Sequence, residues 1–273
     1  MRSRLEAALD VLKIQGRVGI APYITAGDGG LTTTLAVLQA LEAGGASVCE
    51  LGIPFSDPIA DGPILQAAAQ RSLEKGTTLL SVLAMVRRYR AQGGALPLLA
   101  FSYLNPLLAG GLAASTQAIA DAGMDGVLVP DLPVEESGEL QEACRRAKLD
   151  TVFFATPTTS DERIARAAEA SGGFLYVIGR VGVTGAATAL EGDADAYIDR
   201  VRAAAQGMPL GVGFGIREAS QVRALQGRAD LAIVGTAMVE RIHAAVSAAD
   251  SGSDPAAAGA KAAAAYLSEL QEQ

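Results

Sequence analysis

Eight short apolar runs, each separated from the next by a longer helical pattern, constrain this chain more than any other feature. They occupy residues 18–25, 47–54, 96–103, 126–131, 151–156, 174–178, 210–214 and 231–234. The runs are continuously apolar, as strands covered on both faces of a parallel sheet must be. Helical patterns fall between them, at 33–43, 78–91, 115–122, 135–148, 160–170, 193–205 and 218–226. Residues 41–51, 119–129 and 225–234 share one grammar: a helix ending near glycine, a short turn, then a buried strand. Repeated eight times, that unit predicts an α/β protein of the (β/α)8 TIM-barrel class. An open doubly wound sheet is the competing architecture.

A length of 273 residues suits one barrel domain spanning 1–273, with additional helices at both ends. The first seventeen residues alternate charged and apolar residues at helical spacing. Residues 247–255 form a polar interruption before an Ala-rich helix at 256–272, expected on the outside of the barrel. The net charge of −8, without a basic stripe, argues against a nucleic-acid partner. Neither a signal-peptide core nor a long apolar run is present, so no membrane span is expected. Cys49 and Cys144 stand in unrelated contexts, without metal-ligand spacing. Together these features fit a cytoplasmic protein with no metal site.

In a barrel the C-terminal strand ends form the active face. The side chains there are Tyr23, Thr25, Glu50, Tyr103, Asn105, Asp131, Thr156, Tyr176, Phe214 and Thr236. Glu50 is singular, an acid at the end of an apolar strand. By alternation it shares a side with Val48, while Cys49 faces the helices. Burial is expected to raise its pKa and make it a proton donor. A buried arginine partner is the alternative. Eleven residues on, Asp61 sits in a loop stiffened by Pro54, Pro58 and Pro63. Asp61 reads either as a second catalytic carboxylate or as a cap for the helix that starts near Ile64. Asp57 reads as a turn former or a loop contact.

Residues 211–217 carry a GxGxG pattern at the end of the seventh run, and Gly235 and Thr236 follow the eighth. Loops at these two positions are the usual phosphate site of a barrel. Lys13, Lys75, Lys148 and Lys261 lie in helical or turn contexts, which disfavours a Schiff-base mechanism. The single histidine, His243, follows a helical pattern, which disfavours a His-ligated metal. Isomerisation or carbon–carbon cleavage of a phosphorylated substrate by two carboxylates remains.

The segment Glu50-Leu-Gly-Ile-Pro-Phe-Ser-Asp-Pro-Ile-Ala-Asp-Gly-Pro63 closely resembles the signature of the tryptophan synthase alpha subunit family. The match continues in order through Pro22-Tyr-Ile-Thr-Ala-Gly-Asp28, Tyr103-Leu-Asn-Pro106 and Val129-Pro-Asp-Leu-Pro-Val-Glu-Glu136. It then runs through Thr156-Pro-Thr-Thr-Ser-Asp-Glu-Arg163, Gly182-Val-Thr-Gly185, Gly213-Phe-Gly-Ile216 and Val234-Gly-Thr236. The resemblance implies retro-aldol cleavage of indole-3-glycerol phosphate to indole and glyceraldehyde 3-phosphate, without a cofactor in this chain. It implies Glu50 as general acid/base and Asp61 as the carboxylate that binds the indole N–H. It places Tyr23, Tyr103, Leu128 and Phe214 around the indole, and Tyr176 against the second carboxylate. Thr184 is placed on a loop closing over the site, with Gly185, Gly215, Gly235 and Thr236 on the phosphate. The implied partner is a pyridoxal-phosphate beta subunit in an alpha2beta2 assembly, contacted through the loop around Pro54 and Asp57.

Three departures from the family pattern stand out. Gly29 follows Asp28 where proline is usual, and Gly179 stands where serine is common after Tyr176. Both are expected to tune loop mobility. Thr236 replaces a commoner serine and keeps the hydroxyl. Residues 180–192, rich in small side chains, read as a mobile loop. A stand-alone indole-releasing lyase and a weakly active regulatory subunit are the alternative functions. The intact carboxylates argue against the second.

Overall fold

The computed structural model describes residues 3–179, 194–249 and 253–272. Among the described residues nine parallel strand segments form one sheet: β1 (Gly19–Thr25), β2 (Cys49–Gly52), β3 (Leu98–Phe101), β4 (Gly126–Leu128), β5 (Asp150–Val152), β6 (Phe154–Ala155), β7 (Leu175–Ile178), β8 (Leu210–Gly213) and β9 (Leu231–Val234). Their order is β5-β4-β3-β2-β1-β9-β8-β7-β6. The two ends of that order are neighbours in the chain, so the sheet curls into a barrel. The fifth apolar run, expected as one strand, is divided between β5 and β6 at Phe153. The Phe153 N–H donates to Ser171 Oγ at 3.0 Å, and its carbonyl accepts from Tyr176 N at 2.9 Å. The run thus leaves β4 and joins β7 within one residue, which closes the ring.

Twelve α-helices are present among the described residues: α1 (Arg4–Gln15), α2 (Leu31–Ala43), α3 (Pro63–Glu74), α4 (Leu79–Ala91), α5 (Leu104–Leu108), α6 (Leu112–Asp121), α7 (Gly138–Ala147), α8 (Asp161–Ala170), α9 (Ala194–Ala204), α10 (Ala219–Ala224), α11 (Thr236–Ser247) and α12 (Pro255–Gln271). Local chemistry sets several ends. Ser3 and Glu6 form a reciprocal capping box at the start of α1, and Gly16 ends that helix with φ 60°. Asp254 caps α12, whose first residue is Pro255. The Ala-rich helix lies outside the barrel, as its sequence suggested: Tyr266, Leu267 and Leu270 are buried with Leu38 and Leu41 of α2 in the outer layer.

Strand alternation separates two cores. Cys49, Leu51, Leu98, Ala100, Val212 and Val234 face the helices. Ala21, Val48, Leu99, Leu128, Val152, Phe174, Leu231 and Ile233 fill the barrel interior. Leu5, Leu9 and Leu12 of α1 join that inner group and plug the bottom of the barrel. Polar contacts lock the plug. Ser3 Oγ donates to Asp150 at 2.8 Å, and Arg4 pairs with Asp125 at 2.9 Å. Asp125 also accepts from Arg90 at 3.0 Å and from Leu98 N at 2.8 Å.

The plug yields a stability prediction. Leu5 has no exposed surface, so truncating it opens a cavity between helix and barrel. Leu5→Ala should lower unfolding free energy by roughly 2–5 kcal/mol, read as a shift of the urea midpoint.

Candidate active site

The inner layer stops short of the C-terminal strand ends, leaving a cavity of about 460 Å³. Glu50, Tyr23, Tyr176, Phe101 and Phe154 form its walls, with Ile178 and Ile233. Each side chain sits two residues beyond one that fills the interior: Val48 leads to Glu50, Leu99 to Phe101, Val152 to Phe154 and Phe174 to Tyr176. Period-two alternation therefore carries the strand from packed core into open site. The aromatic walls pack on one another. Tyr23 meets Phe101 edge-on at 5.3 Å, and Phe154 meets Tyr176 at 5.0 Å. Gly211 and Gly213 on β8 occupy inward positions in this layer. A Cβ at Gly211 would stand 2.7 Å from the Phe174 ring, and one at Gly213 would stand 2.9 Å from the Tyr176 hydroxyl. These two glycines make room for aromatic side chains, in contrast to the anion-binding part read from the GxGxG pattern.

Glu50 is fully buried, and neither carboxyl oxygen has a hydrogen-bond partner among the described residues. The alternative of a buried arginine partner is thereby excluded for these residues. Burial pushes its pKa up to about 8, so the acid is protonated at neutral pH. Asp61 comes from the loop before α3. The residue that caps α3 is Gly62, with Pro63 in the first turn, so Asp61 stands ahead of the cap. Its carboxyl is hydrogen-bonded to the Tyr103 hydroxyl, and that hydroxyl accepts from Ala60 N at 3.0 Å. Burial raises the Asp61 pKa to about 6, while the Tyr103 bond opposes the rise. The two acids therefore differ in charge at neutral pH. Burial lifts the Tyr23 and Tyr176 hydroxyls above their usual range, and both carboxylates push them in the same direction.

The opposite wall is polar backbone. Gly215, Gly235, Thr236 and Ala237 line it, with Arg217 and Gln221. Gly235 caps the twelve-residue α11, so the free N–H groups of the first turn face the cavity end. Gly215 has φ 70°, a conformation that favours glycine. Arg217 is paired with Glu240 at 2.8 Å.

The structure brings together Glu50, Asp61, Tyr23, Tyr176, Gly215, Gly235 and Thr236 on one cavity. Three other candidates lie elsewhere. Tyr103 reaches the site through Asp61. Leu128 is fully buried in the packed inner layer. Phe214 packs against Tyr197 at 6.3 Å, outside the cavity lining. Thr184 and Gly185, and the loop at 180–192 read as mobile, lie outside the described residues. Asp131 accepts from Leu104 N at 3.0 Å and so holds the segment that carries Tyr103. Thr156 closes its own turn with Thr159. Asp28 grips Arg71 of α3 through two bonds of 2.8 and 2.7 Å. Gly29 has φ 80°, which a proline ring cannot adopt, so glycine there serves the turn. Phe101, Phe154, Ile178 and Ile233 were missed by sequence reasoning, although the alternation applied to Val48 and Glu50 reaches them on the other strands. Leu65, Ile216 and Gln221 carry no such signal. Among the described residues no cluster of His, Cys, Asp or Glu could hold a metal ion, and no helix is long and apolar enough to cross a membrane.

Comparison with known proteins decides the lineage. The family model for the tryptophan synthase alpha chain matches residues 9–267. The chain belongs to the tryptophan synthase alpha chain family. The alpha chain of Azoarcus sp. (strain BH72) is 43% identical over 241 residues, covering 88% of this chain and 89% of that one. The crystal structure of the alpha subunit from Legionella pneumophila superposes with a TM-score of 0.86 at 32% identity, covering 99% of each chain. A structure of the a2b2 tryptophan synthase complex from Pyrococcus furiosus matches with a TM-score of 0.80 at 31% identity, covering 92% of this chain and 97% of that one.

The state of Glu50 in this alpha-chain site has a measurable consequence. Its pKa is raised in the folded chain, so the unfolded chain ionises first as pH rises and stability is lost above the ordinary carboxylate range. The stability of Glu50→Gln relative to the native chain should therefore rise between pH 5 and pH 8, by roughly 3–4 kcal/mol. Parallel denaturation curves at the two pH values check this; a constant difference contradicts the buried neutral acid.

Proposed function

We propose that this chain, acting as one barrel domain, is the alpha subunit of a tryptophan synthase. It is a carbon–carbon lyase that cleaves indole-3-glycerol phosphate to indole and D-glyceraldehyde 3-phosphate. The observation that carries the reading is the pairing of a protonated Glu50, without a hydrogen-bond partner among the described residues, with an Asp61 poised to be ionised on the same cavity. The Glu50 carboxyl donates its proton to indole C3, and the ring becomes an indolenine cation. The Asp61 carboxylate accepts a hydrogen bond from the ring N–H and stabilises that charge. Glu50, now a carboxylate, takes the proton from the hydroxyl on the carbon joined to the ring. The carbon–carbon bond breaks, its electron pair returns to the indole, and the hydroxyl carbon becomes the aldehyde of glyceraldehyde 3-phosphate. The protonated ring serves as the electron sink, so neither a lysine nor a cofactor of this chain is required.

Tyr23 and Tyr176 frame the ring, and Leu128 closes the floor beneath it. Tyr103 orients Asp61. The phosphate sits at Gly215, Gly235 and Thr236, where the first turn of α11 offers N–H groups and a favourable dipole; Thr184 and Gly185 complete the site. The partner is a pyridoxal-phosphate beta subunit in the cytoplasm, assembled as alpha2beta2. The loop of Pro54 and Asp57 presents Ile59 at 73% exposure and is the contact surface in this reading.

Activity needs Glu50 protonated and Asp61 ionised. The rate should therefore fall below about pH 6 as Asp61 gains its proton, and above about pH 8 as Glu50 loses its own. A flat kcat/KM profile across that range would overturn the assignment. Glu50→Gln should lower indole release by roughly 10²–10⁴-fold. Asp61→Asn should cost roughly 10²–10³-fold, the loss of one electrostatic stabiliser. Wild-type rates in either variant rule out its role. Addition of a beta subunit should raise the rate, and an unchanged rate favours a stand-alone lyase.

A further inference from the structure

Glu50 and Asp61 reach the cavity by different routes. Glu50 rides on β2, which pairs with β1 so that Glu50 stands beside Tyr23. Asp61 rides on α3. Its carbonyl accepts from Gln66 Nε2 at 2.8 Å, and Gln66 N donates to Gly62 O at 3.0 Å. The main chain at Asp61 is therefore bonded to the first turn of that helix, and the place of α3 sets the place of Asp61.

The buried face of α3 consists of Leu65, Ala68, Ala69 and Ser72. One large side chain among small ones gives little to oppose rotation or sliding of the helix, because apolar contact is non-directional. Directional bonds occur at its far end. Arg71 Nε and Nη2 donate to the two carboxyl oxygens of Asp28 at 2.8 and 2.7 Å, and Ser72 Oγ donates to Ala26 O at 2.6 Å. Ala26 N in turn donates to Gly52 O at 2.9 Å, on the strand that carries Glu50. A chain of bonds thus runs from β2 through the loop after β1 to α3 and on to Asp61. A buried ion pair adds little net stability once its desolvation is counted, whereas the planar two-bond geometry of a guanidinium on a carboxylate fixes orientation. We infer that Asp28 and Arg71 are a positioning pair for the cleavage reaction: their fork sets the place of α3 and, through Gln66, the place of Asp61 relative to Glu50. Neither residue lines the cavity. The inference rests on the reading of Asp61 as the carboxylate that stabilises the protonated ring.

The test is the pH profile of kcat/KM for full-length chains. Tyr23, Tyr103 and Tyr176 are the phenols that feel the charge of Asp61, and all three are raised above their usual range, so the acid and basic limbs belong to Asp61 and Glu50. In the native chain, cleavage with an acid limb that Asp61→Asn abolishes checks the site reading; its absence removes that reading and the inference with it. Arg71→Lys keeps the charge and loses the fork. It should lower kcat/KM at the optimum roughly tenfold or more, the cost of a small misplacement. Its acid limb should move above about pH 6, because Asp61 loses the Tyr103 bond that opposes the rise of its pKa, while the basic limb stays near pH 8 on an unmoved β2. A pair that served stability alone would lower the urea midpoint and leave both limbs in place. In the Asp61→Asn background Arg71→Lys should cost nothing further, since both changes act through one carboxylate. Gln66 is exposed, so Gln66→Met keeps the inference testable if Arg71→Lys does not fold, and it should move the acid limb in the same direction. An unmoved acid limb in either folded variant, equal movement of both limbs, or a further loss in the Asp61→Asn background each overturns the inference while leaving the cleavage reaction intact.

Discussion

A closed parallel barrel gives every strand one inward and one outward set of side chains, and the site of this protein follows from that parity. In the lower layer the inward set is Val48, Leu99, Leu128, Val152 and Phe174, sealed below by Leu5, Leu9 and Leu12. In the next layer the same set becomes Glu50, Phe101, Phe154 and Tyr176 around a cavity. Glu50 is buried because its strand position is inward, and among the described residues its carboxyl oxygens have no hydrogen-bond partner. An ionised carboxylate is costly in such surroundings, so the group keeps its proton.

The second acid differs because it is delivered by a loop. Asp61 meets a phenol hydroxyl, and its pKa rises less than that of Glu50. Strand and loop thus place two carboxyl groups with opposite preferences on one cavity, the arrangement that lets an acid and an anion coexist near pH 7. Supports for the loop come from afar. Asp131 at the end of β4 holds Leu104 N, which fixes Tyr103, and Tyr103 in turn holds Ala60 and Asp61.

Much of this was legible in the residues. Continuous apolar runs gave the strands, and the helix stops at glycine gave their connections. The inward position of Glu50 followed from alternation with Val48, and its raised pKa followed from burial. The motifs pointed to the family because their residues make a loop of unusual composition in a fixed order. Other parts were not legible. The division of the fifth run at Phe153 accompanies ring closure, where the first half of the run pairs with β4 and the second half with β7. The glycines at 211 and 213 read as a phosphate motif because sequence records the missing side chain and not the Phe174 and Tyr176 rings that fill its place.

Sequence alone determined the barrel, the family and the two carboxylates, because each depends on residue type at a local spacing: apolar period, glycine stops, and an acid ending a strand. Tertiary structure decided what surrounds those residues. It left Glu50 without a partner among the described residues, gave Asp61 to Tyr103, placed Leu128 in the packed floor and set Phe214 against Gly179. These are contacts between segments distant in the chain, and their outcome depends on the volume available where eight strands converge. Local spacing carries no record of that volume.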